Sequence, residues 1–439
     1  MKFPFLAATF ALCHALSLAQ MDSLGHSTTD SFVVDTILIS GNERTKDYVI
    51  LDEMTIMPGT LATPQLIEFD RSRIYSLALF THVDMSPDTL GGRRALVVDV
   101  GERWYLIPIV EFGFRDGDPK RPYFGGGLVD YNFRGRNQRL SGVAVFGYNP
   151  AVGFGFRDPL IDRSRQLSFS GNISYSRIRN KSQIESAITG DFDEDHYDIN
   201  TALGRRFSLF ETATLNLGFE EVQIANYRPG RTASSTGKDA YLYATASYVY
   251  DTRDLREYPA DGALLNFFVT KNGFGEATLS YTRLGADLRK YIPLPLDFSV
   301  AGRAFGNFAL GTFIPPYGRV YFGYNEIIRG YDREVFEGED VVGATVELHW
   351  PLLAARTIRF TAIPLPPEFS VWRFGVGLAL FADAGTTWFR NQPVTFNSFS
   401  SGYGAGIHFL LPYSAIMRVE YAWNEYGRGQ FILDFRSSI

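Results

Sequence analysis

Two rhythms of hydrophobic and polar positions divide this chain. In its first part the rhythm is mixed. "SFVVDTILISGN" alternates as a strand does and stops at a Gly41-Asn42 turn. "RTKDYVILDEM" predicts a short helix with Thr45 as its N-cap, and "MPGT" ends it. Thr63-Pro64 opens a second helix, with Pro64 at the first helical position and Leu66, Phe69, Ile74 and Leu77 as its buried stripe. "HVDMSP" and "RRALVVDVGER" predict two strands around a Gly91-Gly92 turn. The order β-α-α-β-β describes one compact domain over residues 32–103, with a sheet edge open to a further strand.

From Trp104 the helical period disappears. Short alternating segments recur between turn residues, among them "YFGGGLVDYNF", "RLSGVAVFGY", "TATLNLGFEEV", "AYLYATASYVY", "GALLNFFVTK" and "GQFILDF". About fifteen such segments, spaced at roughly 21 residues, fit a membrane barrel of about 16 strands. A soluble sandwich has closer spacing and about half as many strands. Residues 104–439 are therefore expected to form a transmembrane antiparallel β-barrel, making the chain mainly β.

The phases agree with that expectation. Val342, Ala344, Val346, Leu348 and Trp350 alternate with Gly343, Thr345, Glu347 and His349. Phe374, Val376, Leu378, Leu380 and Ala382 alternate with Gly375, Gly377, Ala379, Phe381 and Asp383. Ala415, Met417, Val419, Tyr421 and Trp423 alternate with Ile416, Arg418, Glu420 and Ala422. In each case the apolar face suits lipid and the small or charged face a polar lumen. Tyr and Trp at strand ends suit the two interfaces.

Composition narrows the rest. The 439 residues carry a formal charge of −6, 42 glycines, 37 Phe and 24 Tyr. Charges are interspersed, with no basic stripe for nucleic acid. "MKFPFLAATFALCHALSLAQ" has a basic start, an apolar run and small residues at Ser17 and Ala19, so residues 1–19 read as a signal peptide. The single cysteine, Cys13, falls inside it, which leaves the expected mature chain without disulfides or thiolate metal sites. No later run is apolar enough for a membrane helix.

Catalytic constellations are not evident: no G-x-S-x-G, H-E-x-x-H, phosphate loop or dinucleotide fingerprint occurs. Histidines are scattered without metal spacing, and no cofactor site is expected. "YDTRD" at 250–254 reads as a salt-bridged corner between a strand and a loop. One grouping does stand out. "NEIIRGYDREVFEGED", residues 325–340, is too polar for a strand and holds Ile328-Arg329-Gly330-Tyr331. Glu347 and Asp383 follow on the lumen faces of two successive strands, and successive strands tend to be neighbours. Two confined carboxylates repel, and a loop-borne guanidinium relieves the repulsion by bidentate pairing. The other reading of the spacing is a surface Arg-Gly turn with two unrelated carboxylates.

Several segments in order resemble one family. "ILISGNERT" and "SRIYSLALFTHVDM" are similar to parts of a POTRA domain, "NFRGRNQRL" to a first barrel turn, and "YDTRDLREYPADGALL" to a mid-barrel segment. "IIRGY" resembles the arginine motif of a sixth extracellular loop, and "VELHWPL" and "ALFADAGTTW" resemble the two strands after it. Together these resemble the outer-membrane assembly barrels of the BamA/TamA superfamily, also called bacterial surface antigens. The resemblance implies that Arg329 pairs with Glu347 and Asp383 while the loop tucks into the lumen and braces the wall. Two departures favour a shorter paralogue: there is room for one POTRA domain only, and Phe435 is followed by four more residues.

The implied function is non-enzymatic. A barrel in the bacterial outer membrane, its POTRA domain in the periplasm, would help insert, fold or translocate unfolded β-barrel or secreted client proteins. Client strands or periplasmic partners would add to the POTRA sheet edge. They would also pair at a weak seam between the first and last barrel strands, expected near Tyr123–Phe133 and Gly429–Phe435. The alternatives are a passive channel or transporter plugged by the arginine-bearing loop, and a secretion pore for one dedicated partner.

Overall fold

The computed structural model describes residues 31–114, 119–274, 279–311, 313–324, 326–331, 334–359 and 366–435. The signal-peptide reading of residues 1–19, with Cys13, lies outside the described residues.

The N-terminal domain has the helices Asp47–Leu51 and Pro64–Tyr75 and the strands Thr36–Ser40, Phe80–Leu90 and Arg93–Glu102. The sheet order places Arg93–Glu102 in the middle, parallel to Thr36–Ser40 and antiparallel to Phe80–Leu90. The predicted first strand is split, because Phe32-Val33 pairs instead with Leu61-Ala62. Thr63 caps the second helix through its hydroxyl, with Pro64 following, as the sequence suggests. Thr45 does not cap the first helix; Lys46 occupies that position without a side-chain bond. The Thr45 hydroxyl bonds Glu102 and meets Tyr105 Oη at 3.0 Å and Asn132 Nδ2 at 2.8 Å, at the junction with the barrel. Ile50, Ile56, Ile74, Leu79, Leu96 and Val98 form the fully buried core. Of the expected helix stripe, Ile74 is in that core and Leu66 and Leu77 flank it. Phe69 instead packs against Phe210 in a barrel turn.

Sixteen antiparallel strands follow, from Leu106–Phe114 to Gly429–Asp434, each paired with its sequence neighbour in one sheet. The one long detour is the segment between Ser299–Gly311 and Asp340–Arg359. It carries its own short hairpin, Val320–Phe322 with Phe336–Gly338. Counted from the side away from the N-terminal domain, it is the sixth loop. Exposed Phe112, Phe124, Phe154, Leu217, Leu242, Val346 and Leu380 continue the outward apolar phase around the sheet, a surface that only a bilayer would cover at this extent. No helix is long and apolar enough to cross a membrane among the described residues.

The first barrel strand is not Tyr123–Phe133. Leu106–Phe114 precedes it and pairs with it from Leu106↔Asp130 to Phe114↔Pro122. Pro108 obscures this strand in the sequence, since proline lacks a ladder donor and argues against a central strand. At a sheet edge that objection disappears. Among the described residues no ladder joins Leu106–Phe114 to Gly429–Asp434.

Candidate functional site: the loop-six anchor in the lumen

The outward–inward alternation is regular through the C-terminal strands, so it delivers side chains to the lumen in layers. Across the pair Asp340–Arg359 and Val371–Trp388, Thr345 faces Asp383 and Glu347 faces Phe381. Glu347 and Asp383 are thus diagonal neighbours on one face. Across the next pairs, Gly402 faces both Asp383 and Asn424, and Gly406 faces Glu420. Gly402 leaves space that the sixth loop fills. A Cβ on Gly402 would collide with the Arg329 carbonyl oxygen.

Into this space the loop delivers Ile328, Arg329, Gly330 and Tyr331. Ile328 and Tyr331 are buried with Phe322 and Val341, and Tyr331 meets Phe336 edge-on at 5.3 Å. Gly330 has φ +99°, and a Cβ there would lie 2.8 Å from Asn424 N and Trp423 C, so only glycine fits. Arg329 Nε and Nη2 each lie 2.7 Å from an oxygen of Asp383, a two-bond fork, and Arg329 N–H donates to Asp383 Oδ2 at 3.0 Å. Its Nη1 lies 2.6 Å from Glu347 Oε1 and 3.2 Å from Glu420 Oε1. The guanidinium carbon is 3.6 Å from the centre of the Phe381 ring, a cation–π contact in a water-poor setting.

The structure thus brings all six residues selected from the sequence into one place, and adds others. Glu420 is a third carboxylate on the same arginine. It lies on the lumen phase of its strand, yet two strands from Asp383, so the rule of successive neighbours gives no reason to choose it. His349 Nε2 contacts Glu347 Oε2 at 2.7 Å, and His408 Nε2 contacts Glu420 Oε1 at 3.0 Å. Gly330 N–H donates to Gln430 Oε1 at 3.0 Å, which ties the loop to the last strand. On the strand next to that of Glu347, Arg303 of Ser299–Gly311 grips Glu326 of the same loop through two bonds of 2.8 and 2.9 Å. The 250–254 corner holds an Arg253–Asp251 ion pair of 2.8 Å. No metal-binding group of side chains occurs among the described residues.

A family model described as the Omp85 superfamily domain matches residues 132–436. The chain belongs to the Omp85 superfamily. A second model, POTRA (surface antigen variable number repeat), matches residues 32–103 of this Omp85 member. The outer membrane protein assembly factor BamA of Nitratidesulfovibrio vulgaris is 24% identical over 315 residues. That match covers 68% of this chain and 38% of the relative, so the chain spans well under half of its length. The fold is similar to that of BamA from Haemophilus ducreyi lacking POTRA domains 1-3. The TM-score is 0.53 at 17% identity, covering 92% of this chain and 83% of that one. It is also similar to CdiB from Escherichia coli, with a TM-score of 0.51 at 11% identity, covering 99% and 94%. The protein is an outer-membrane barrel with a POTRA domain, residues 32–103, on its periplasmic side.

Proposed function

We propose that this Omp85 member is a non-enzymatic barrel that assists the insertion, folding or translocation of other outer-membrane or secreted proteins. The observation that carries this reading is the seam. The first strand contains Pro108, the last strand has only six residues, and no described ladder joins them. In a bilayer every backbone donor and acceptor needs a partner, so an unzipped edge is a place for a client strand to pair. The POTRA sheet edge would offer a first site for extended clients or periplasmic partners, through backbone bonds that tolerate many sequences. Arg329, held by Glu347, Asp383 and Glu420, would brace the wall beside this seam rather than perform chemistry.

The lumen-filling loop favours a second reading, a passive channel plugged by loop six. Engineered cysteines on Leu106–Phe114 and Gly429–Asp434 separate the two. Oxidation that locks the seam should stop client assembly, and reduction should restore it. If locked protein still assembles clients, and activity instead follows ion conductance, the channel reading replaces this one.

A further inference from the structure

The periplasmic turn between Lys238–Asp251 and Gly262–Asn272 is buried in two places at once. Leu255 is part of the POTRA core, and Arg256 N–H donates to Ser76 Oγ at the end of the second POTRA helix, 3.1 Å away. Glu257 pairs with Arg373 at 3.2 Å, and Arg373 lies 4.8 Å over the Tyr75 ring. Three residues beyond Leu255, Tyr258 enters the barrel. Its ring stacks on His349 at 4.9 Å and 21°, and its hydroxyl meets His408 Nδ1 at 3.1 Å. Gly377 gives it room: a Cβ there would come within 3.1 Å of the Tyr258 hydroxyl.

Both ring nitrogens of His408 are engaged. Glu420 Oε1 accepts from His408 Nε2–H, and the Tyr258 hydroxyl lies at hydrogen-bond distance from the other ring nitrogen, Nδ1. Glu420 in turn holds Arg329. The second arm runs from the stacked His349 through Glu347 to the same guanidinium nitrogen. His349, Glu347, His408 and Glu420 are all at most 2% exposed, so these contacts lie away from bulk solvent.

We propose that Tyr258 is a positioning residue that couples the POTRA domain to the loop-six anchor, through His408 and Glu420 on one arm and His349 and Glu347 on the other. A shift of the POTRA domain that moves Leu255 would withdraw Tyr258, leave His408 Nδ1 without its partner and loosen the grip on Arg329. This inference rests on reading Arg329 as the brace. It assigns that brace a control element on the far side of the membrane.

The test uses the full chain in a Cys13→Ser background. Ile328→Cys places a thiol where the side chain is 3% exposed, so its alkylation rate reports release of the loop. Arg329→Ala should raise that rate strongly. Tyr258→Phe removes one hydroxyl and should raise it about tenfold, the scale of one lost buried hydrogen bond. Leu255→Ala, which acts from the POTRA side, should raise it as well, and the double variant should be no faster than the faster single. Retained gel mobility of the folded barrel checks that each variant is folded. Unchanged alkylation in Tyr258→Phe, no effect of Leu255→Ala, or additive effects would each overturn the coupling. No effect of Arg329→Ala would overturn the brace itself.

Discussion

At the scale of single residues, the anchor is one cation shared by three buried carboxylates. Removing one partner from such a group leaves uncompensated charge, at a cost of about 3–5 kcal/mol. Arg329→Ala should therefore lower the temperature at which the folded barrel loses its compact gel mobility, and should open loop six to protease. Wild-type behaviour in both assays would remove the brace. Gly330→Ala should act in the same direction for a steric reason. With φ +99° and backbone atoms 2.8 Å away, an added methyl forces the loop off Gln430 at a strain cost of about 1–3 kcal/mol. Much of this site was readable from strand phase, because alternation by itself puts Glu347 and Asp383 inside. Phe381 and Glu420 had the right phase too, but phase does not say which inward residues a loop reaches. His349, His408 and Tyr258 come from three separate stretches, so their meeting had no signature in sequence spacing.

At the scale of elements, the strands divide by what each face meets. Asp340–Arg359 and Val371–Trp388 alternate cleanly through the anchor and then break register at Pro351/Leu353 and Leu353/Arg356 as they extend toward the periplasm. Their alternation made them legible. Leu106–Phe114 was not, since Pro108 reads as a breaker until the strand is seen to be an edge. In the POTRA sheet, Asp35 N–H donates inward to Arg94, so by alternation the amides of residues 36, 38 and 40 point outward. Leu38→Pro deletes an outward donor without removing an inner ladder bond. Client assembly should fall while the barrel's heat stability stays unchanged. Assembly at the wild-type rate would mean that this edge takes no client strand.

At the scale of the whole molecule, the POTRA domain and the barrel are packed together at several turns. Arg73, 3% exposed, donates to Glu53 Oε2 at 2.7 Å and to the carbonyl of Leu209 in a barrel turn at 3.0 Å. It also lies 5.3 Å over the Phe210 ring. Arg206, on a barrel strand, reaches the other oxygen of Glu53 at 2.9 Å. Burial holds the Arg73 guanidinium below its usual pKa; Glu53 opposes that shift, and Arg256 and Arg206 add to it. Arg73→Ala leaves Arg206 as the remaining cation on Glu53 among the described contacts. Spin labels on Ser40 and on Arg165 should then show a broader distance distribution than in wild type. An unchanged distribution would mean that the other contacts hold the domain without it.

Read alone, the sequence pointed to a small mixed unit ahead of a β-barrel, and to the lumen-facing side of the three strands with the cleanest alternation. These follow from local periodicity, which each segment carries independently of the others. Strand phase put Glu347 and Asp383 in the lumen, and the family resemblance implied that the loop arginine pairs with them. The tertiary structure alone decided which strand comes first, which third carboxylate completes the anchor, and that a periplasmic turn reaches the anchor from below. Those depend on where the sheet ends and on which distant side chains share the enclosed lumen. Side chains far apart along the chain meet there only after the strands have assembled.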